Sequence, residues 1–113
     1  MKLRNERLKE LIRMKAAELI LHGISDPRRG FCTVTQVELT NDLSYCTIRV
    51  SVMGDHAAQS RTMRALQDAR GLIQSHIAGC LKTRTTPHVT IELDKSIERS
   101  FAILNKIKEA RNS

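Results

Sequence analysis

The sequence predicts a two-layer α+β fold, a three-stranded mixed sheet packed on helices in the order α-β-β-α-α-β-α. Three patterns carry this reading. Apolar residues recur with a helical period near the start, alternation marks strands further on, and a long helix-compatible stretch is interrupted by glycine. Strands this few must bury one face under helices, which gives two layers. The 113 residues suit one domain spanning 1–113, with room for a single core.

From Leu3 to about Leu21, the positions Leu8, Leu11, Ile12, Ala16, Leu19 and Ile20 form an apolar stripe, with Arg7, Lys9, Glu10 and Arg13 towards solvent. Lys15 projects into that stripe and reads as a snorkelling side chain. Gly23 suits a left-handed C-terminal cap, and "SDPRRGF" makes a connector. "FCTVTQVEL" and "SYCTIRVSVM" read as a hairpin through "TNDLS"; the second alternates cleanly, whereas the first alternates poorly and implies a bulge near Thr33 to Thr35. Gly54-Asp55 closes this unit.

Residues 56 to 83 are nearly all helix-compatible, with Met63, Leu66, Leu72, Ile73, Ile77 and Leu81 as core candidates. As one helix they would make a rod of about 40 Å, against an expected radius of gyration of about 13 Å. A break is therefore expected at Ala69 and Gly71: one helix ends near Ala69 or Arg70, and the next starts at about Gly71 with unpaired amides. In this reading Gly71 frees the corner of side-chain obstruction, and Gly71→Val damages folding or binding. "HVTIELD" is the third strand, with Val89, Ile91 and Leu93 inward. "KSIERSFAILNKIKEARNS" is a helix over about 95–110 with a frayed tail.

Composition narrows the function. Hydrophobic residues at 41%, charged residues at 27% and no apolar run of bilayer length predict a soluble, cytoplasmic chain without a membrane partner. Nineteen Lys and Arg against twelve Asp and Glu give +7, which favours a polyanionic partner, nucleic acid first. Aromatics at 3% are too few for a base-stacking platform, so phosphate and shape should lead recognition. Cys32, Cys46 and Cys80 read as reduced packing residues. The histidines at 22, 56, 76 and 88 lack metal-ligand spacing, and no nucleotide loop or nucleophile motif occurs. Neither catalytic residues, nor a metal, nor a cofactor is expected, and the chain reads as a non-enzyme.

The strand, broken helix pair and strand outline a type II KH-like domain, although Ala69-Arg70-Gly71 stands where a GXXG loop is usual. That A-x-G interruption resembles the bacterial ribosome-binding factor A family. So do "SDPRRGFCTVTQVELTNDLSYCTIRVSVMG", matching a D-P-R-x-G-F segment, a T-x-V-E stretch and V-S-V-x-G, and "LKTRTTPHVTIELDKSIE", matching a basic loop, proline, third strand and D-x-S step. The resemblance runs from about Arg7 to Ile107. Lys15 and Ser100 depart from the family pattern, which usually has an acidic residue and often a glycine there.

The resemblance implies a non-enzymatic assembly factor, monomeric when free. It would bind the small (30S) ribosomal subunit and its 16S rRNA in late maturation, support processing of the 5′ end of the 16S precursor, and matter most in the cold. The residues supply the means: Arg70 and the amides from Gly71 onward to meet phosphates, Lys82 and Arg84 to extend the basic surface, and Arg61 and Arg64 one turn apart on a helix. Arg28 and Arg29 are secondary candidates, with Arg28 equally suited to pairing with Asp26. A general KH-like single-stranded RNA binder is the alternative, and a protein-docking domain a third class.

Overall fold

The fold was read from a computed structural model, which describes residues 2–81, 86–96 and 107. Its elements are α1 (Lys2–His22), β1 (Cys32–Leu39), β2 (Tyr45–Val52), α2 (His56–Asp68), α3 (Arg70–Cys80) and β3 (His88–Leu93). The strands lie in the order β1-β2-β3, with β1 antiparallel to β2 and β2 parallel to β3, so the sheet is mixed and β2 is central. This is the expected KH-like α+β arrangement. Of the C-terminal helix expected over about 95–110, Lys95, Ser96 and Ile107 are among the described residues; Ser96 and Ile107 are helical and Lys95 is not.

Alternation decides which sheet face is covered. Cys46, Ile48, Val50 and Val52 of β2 are buried, as are Val89 and Ile91 of β3 and Val34 and Val37 of β1. The three-residue step from Val34 to Val37 is the expected bulge: the register shifts between Val34 and Gln36, which lets both valines face the core. Against this face pack Ile12, Ala16 and Ile20 of α1, Leu66 of α2, and Ile73 and Ile77 of α3. Lys15 reaches out of the stripe to pair with Glu18 at 3.7 Å. Cys46 is fully buried, and burial pushes its thiol up to about 11; Cys32 and Cys80 are half-buried and all three are free.

The hairpin turn is built by side chains. The Thr40 hydroxyl donates to Asp42 Oδ1 at 2.8 Å, and the Ser44 amide donates to both Thr40 Oγ1 and Asp42 Oδ1 at 3.1 Å. This cage holds Leu43 at φ 62°, in the left-handed region. Hydrogen bonds from the hydroxyls of Ser44 and Thr40, and then from the Ser44 amide, lower the Asp42 carboxylate below its ordinary value.

Five expectations need correction. The helix break falls at Ala69 alone, whose φ −90° and ψ 4° leave the helical well, while Gly71 lies inside α3. A Cβ at Gly71 would meet nothing within 4 Å, so no obstruction at the corner calls for glycine there. Nor does the size of the molecule force the break, since its longest dimension is 59 Å and its Cα radius of gyration 16.4 Å. The break instead divides the packing: α2 packs on β2 and β3, while α3 turns towards α1 and β3. Gly23 has no positive φ; its amide bonds Leu19 O at 2.7 Å, and a Cβ would stand 2.9 Å from that same oxygen. Close approach, not handedness, selects glycine at this helix end. Leu72, finally, is 52% exposed and outside the core.

Gly54 does need its freedom: its φ is +115°, and a Cβ would lie 2.8 Å from that of Ala58. It delivers the chain to Asp55, whose carboxylate caps α2 by accepting from the Ala58 amide at 2.9 Å. Gly54→Ala should cost about 1–3 kcal/mol of stability, measured as a shifted urea midpoint. An unchanged midpoint would refute this.

Candidate nucleic-acid interface

Five of the described cations are paired with the chain's own carboxylates, while exposed Arg7 of α1 has no ion pair among the described residues. On α1, Lys9 pairs with Glu6 at 3.2 Å, Arg13 with Glu10, and Lys15 with Glu18. On the sheet, Arg49 pairs with Glu38 and, at 3.4 Å, with Glu92. Arg61 and Arg64 differ. Both are exposed on α2, three residues apart and so on one helix face, and neither has an ion pair among the described residues.

The connector lies against the same helix. Arg28 is gripped by Asp26, at 2.6 Å from its Nη2, and that nitrogen also bonds Asp68 of α2 at 2.9 Å. Its two carboxylate partners raise the guanidinium pKa further, while hydrogen bonds from the Arg28 side chain and amide lower Asp26 to about 2. The pairing reading of Arg28 therefore describes its position, and it brings α2 no free charge. Arg29 is half-buried, with Nε donating to Ile24 O at 3.1 Å. Next to it, the Gly30 amide donates at 2.9 Å to Thr62 Oγ1, and the Thr62 hydroxyl faces Arg28 O at 3.5 Å. Thr62 is fully buried, the one polar side chain among the described core residues. Its role was invisible in the sequence, where it reads as one more polar helix position.

Arg70 also holds the chain together. β3 is an edge strand, and its outer main-chain groups are met by a stripe of side chains from the helix pair. Gln67 Nε2 donates to Ile91 O at 2.7 Å, Arg70 Nη1 to Val89 O at 3.1 Å, and Gln74 Nε2 to Pro87 O at 2.6 Å. Gln74 Oε1 in turn accepts from the Val89 amide at 2.8 Å. Half-buried Arg70 is thus a rung between α3 and β3. The residues 67, 70 and 74 do lie at helical spacing, the only signal that could have grouped them.

Beyond the break, α3 begins without a side-chain cap. Gly71, Ser75 and Gly79 follow at four-residue intervals, all exposed, so one face of the helix presents little beyond backbone. The structure brings Arg61, Arg64, Arg70 and Gly71 onto the helix pair and places Arg28 and Arg29 beside it. Lys82 and Arg84 lie outside the described residues. Among the described residues no group of three or more His, Cys, Asp or Glu is placed to hold a metal ion, and no helix is long and apolar enough to cross a membrane.

Residues 4–107 match the model of the family described as ribosome-binding factor A. The chain is 40% identical over 110 residues to a ribosome-binding factor A of Dictyoglomus thermophilum, covering 96% of this chain and 92% of that one. Among solved structures, it resembles the solution structure of a putative ribosome-binding factor A from Thermotoga maritima, at 30% identity and a TM-score of 0.71, covering 82% of this chain and 89% of that one. It also shares its fold with Thermus thermophilus ribosome-binding factor A as fitted into a cryo-EM map of a complex of 30S with that factor. That match has 24% identity and a TM-score of 0.63, over 79% of this chain and 93% of the other.

Two outcomes follow from the connector. Thr62→Val removes the acceptor of the Gly30 amide at a part-buried site and should cost about 1–3 kcal/mol, whereas Thr62→Ser should recover much of the loss in denaturant unfolding. Asp26 has a depressed folded-state pKa, so its contribution is present above its ordinary 3.8 and is lost as pH falls through about 2. Between pH 4 and 2 the urea midpoint of Asp26→Asn should therefore fall less than that of the parent; parallel curves would refute the coupling.

Proposed function

This chain belongs to the ribosome-binding factor A family, and from that premise we propose that it binds the small ribosomal subunit through 16S rRNA, using the outer surface of α2 and α3. It acts as an assembly factor in late maturation, supports processing of the 5′ end of the 16S precursor, and is most needed in the cold. It works as a monomer, does no catalysis of its own, and leaves before translation begins.

The observation that carries this reading is the placement of exposed Arg61 and Arg64 together on one face of α2. In a chain of net charge +7, these two exposed arginines have no carboxylate partner among the described residues, nor has Arg7 of α1, whereas Lys9, Arg13 and Lys15 of α1, Arg28 of the connector and Arg49 of the sheet are paired. Unpaired guanidinium groups on a rigid helix meet phosphates without first giving up an internal partner. The uncapped start of α3 adds amide dipoles of the same sign. The side-chain-poor face at Gly71, Ser75 and Gly79 lets a sugar-phosphate backbone come close to the helix. Gly71 thereby has a reason for being glycine that packing inside the chain does not supply. The fold shared with the structure fitted to the 30S complex also supports the reading. Lys82 and Arg84 extend the same surface in this proposal.

Sedimentation with purified small subunits, large subunits and an unrelated single-stranded RNA over a range of salt tests it. The protein should prefer small subunits. Arg61→Ala with Arg64→Ala should weaken binding and flatten the slope of log affinity against log salt by about 1 to 2, as expected when about two phosphate contacts are lost. Gly71→Ala should raise stability by about 0.5–1 kcal/mol while lowering small-subunit affinity. Equal retention on all three ligands would favour a general RNA binder. Full affinity in the double variant would overturn the assignment to α2.

A further inference from the structure

The sheet face turned away from the helices has a different chemistry. At its centre, Glu38, Glu92 and Asp94 surround Arg49, with Lys95 at the rim of a groove of about 340 Å3. Three carboxylates to one central guanidinium leave the middle of this face negative, in a chain whose net charge is +7. Asp94 is fixed there by the Thr35 hydroxyl, which donates to it at 2.6 Å, and this bond lowers the carboxylate further below its ordinary value. A lane of hydroxyls runs beside the charges, Thr47 meeting Thr90 at 3.3 Å.

Both ends of the face expose large apolar surface. At one end, Tyr45 is 62% exposed and meets the His88 ring edge-on, centroids 6.3 Å apart. At the other, Met53 is 69% exposed and its amide bonds Phe31 O at 3.0 Å; Phe31, 67% exposed, stands at the β1 edge, where it also borders Ala17 and Leu21 of α1. Tyr45 and Met53 are eight strand steps apart, about 26 Å. An acidic middle between apolar ends is unsuited to a polyphosphate, whose charge the carboxylates repel, and complementary to a polypeptide with cations in its centre and apolar side chains towards its ends.

We propose that this open face docks a basic amphipathic segment of a small-subunit protein while α2 and α3 face the rRNA. Lysine or arginine side chains of the partner meet Glu38, Glu92 and Asp94, and its apolar side chains cover Tyr45 and Met53. The molecule then bridges RNA on its helix layer and protein on its sheet layer. The inference rests on the small-subunit reading for the assembly that holds the partner, but not for the chemistry of the face.

The test places the photo-crosslinker p-benzoylphenylalanine at exposed Thr90 in the full chain. The variant is bound to purified small subunits and irradiated, and the attached species is identified by mass spectrometry. Sedimentation of the same sample reports whether the subunit is bound at all, so failure of binding counts against the small-subunit reading and takes this partner's identity with it. With binding intact, the expected product is a lysine- or arginine-rich peptide of a ribosomal protein. Its yield should fall about tenfold when Glu38→Gln and Glu92→Gln are combined, while the cations of α2 still bring the variant down with the subunit. Crosslinks to rRNA or to a second copy of the chain, no crosslink in a bound sample, or a yield indifferent to the two glutamines would each overturn the proposal.

Discussion

An edge strand presents a row of unsatisfied amide and carbonyl groups, and such a row must be covered, charged or paired. Here β3 is covered by side chains: Gln67, Arg70 and Gln74 reach from α2 and α3 to the outer carbonyls of Pro87, Val89 and Ile91, and Gln74 also takes the Val89 amide. Much else depends on this seam. It ties the helix pair to the strand beyond the apolar contacts of Leu66, Ile73 and Ile77, and it fixes where the break at Ala69 can lie, since rungs are needed on both sides of it. Arg70 serves the seam rather than standing free at the corner.

The second organising feature is the separation of charge. One layer, made of helices, exposes arginines without carboxylate partners among the described residues; the opposite layer, made of strands, exposes carboxylates in excess. Ion pairs on α1 and the connector add little to stability at such exposure. In the proposed function, their larger effect is to neutralise surfaces that would otherwise compete with α2 for an anion. Arg28 illustrates this. It sits next to α2, yet Asp26 and Asp68 quench it and turn it into a brace for the connector.

The elements could be read from the sequence because their periodicities are strong. The stripe of Ile12, Ala16 and Ile20 gave α1, the alternation of Cys46, Ile48, Val50 and Val52 gave β2, and the lapse in alternation around Thr35 gave the bulge. The site was less readable. Gln67, Thr62 and Gln74 look like ordinary solvent-facing helix residues until the partner main chain is in place, because polar atoms on a helix carry no label saying whether water or an edge strand will satisfy them. Gly71 invited a backbone explanation, but it sits inside α3 where nothing within the chain touches it, and its proposed role is to let a partner come close. Gly23 made the same point in reverse, its closeness to Leu19 O mattering more than any special angle.

Pairing β2 with β3 in parallel has a cost in time. β2 finds β1 at once through a short turn, but its other side waits for a strand that follows two helices, and that strand is itself secured only when Gln67, Arg70 and Gln74 are in position. A growing chain therefore displays the raw flank of its central strand until the whole crossover has emerged and folded. In slow synthesis this interval lengthens, and the newborn protein is most vulnerable to sticking to its neighbours through Cys46, Ile48 and Val50, the residues later hidden deepest.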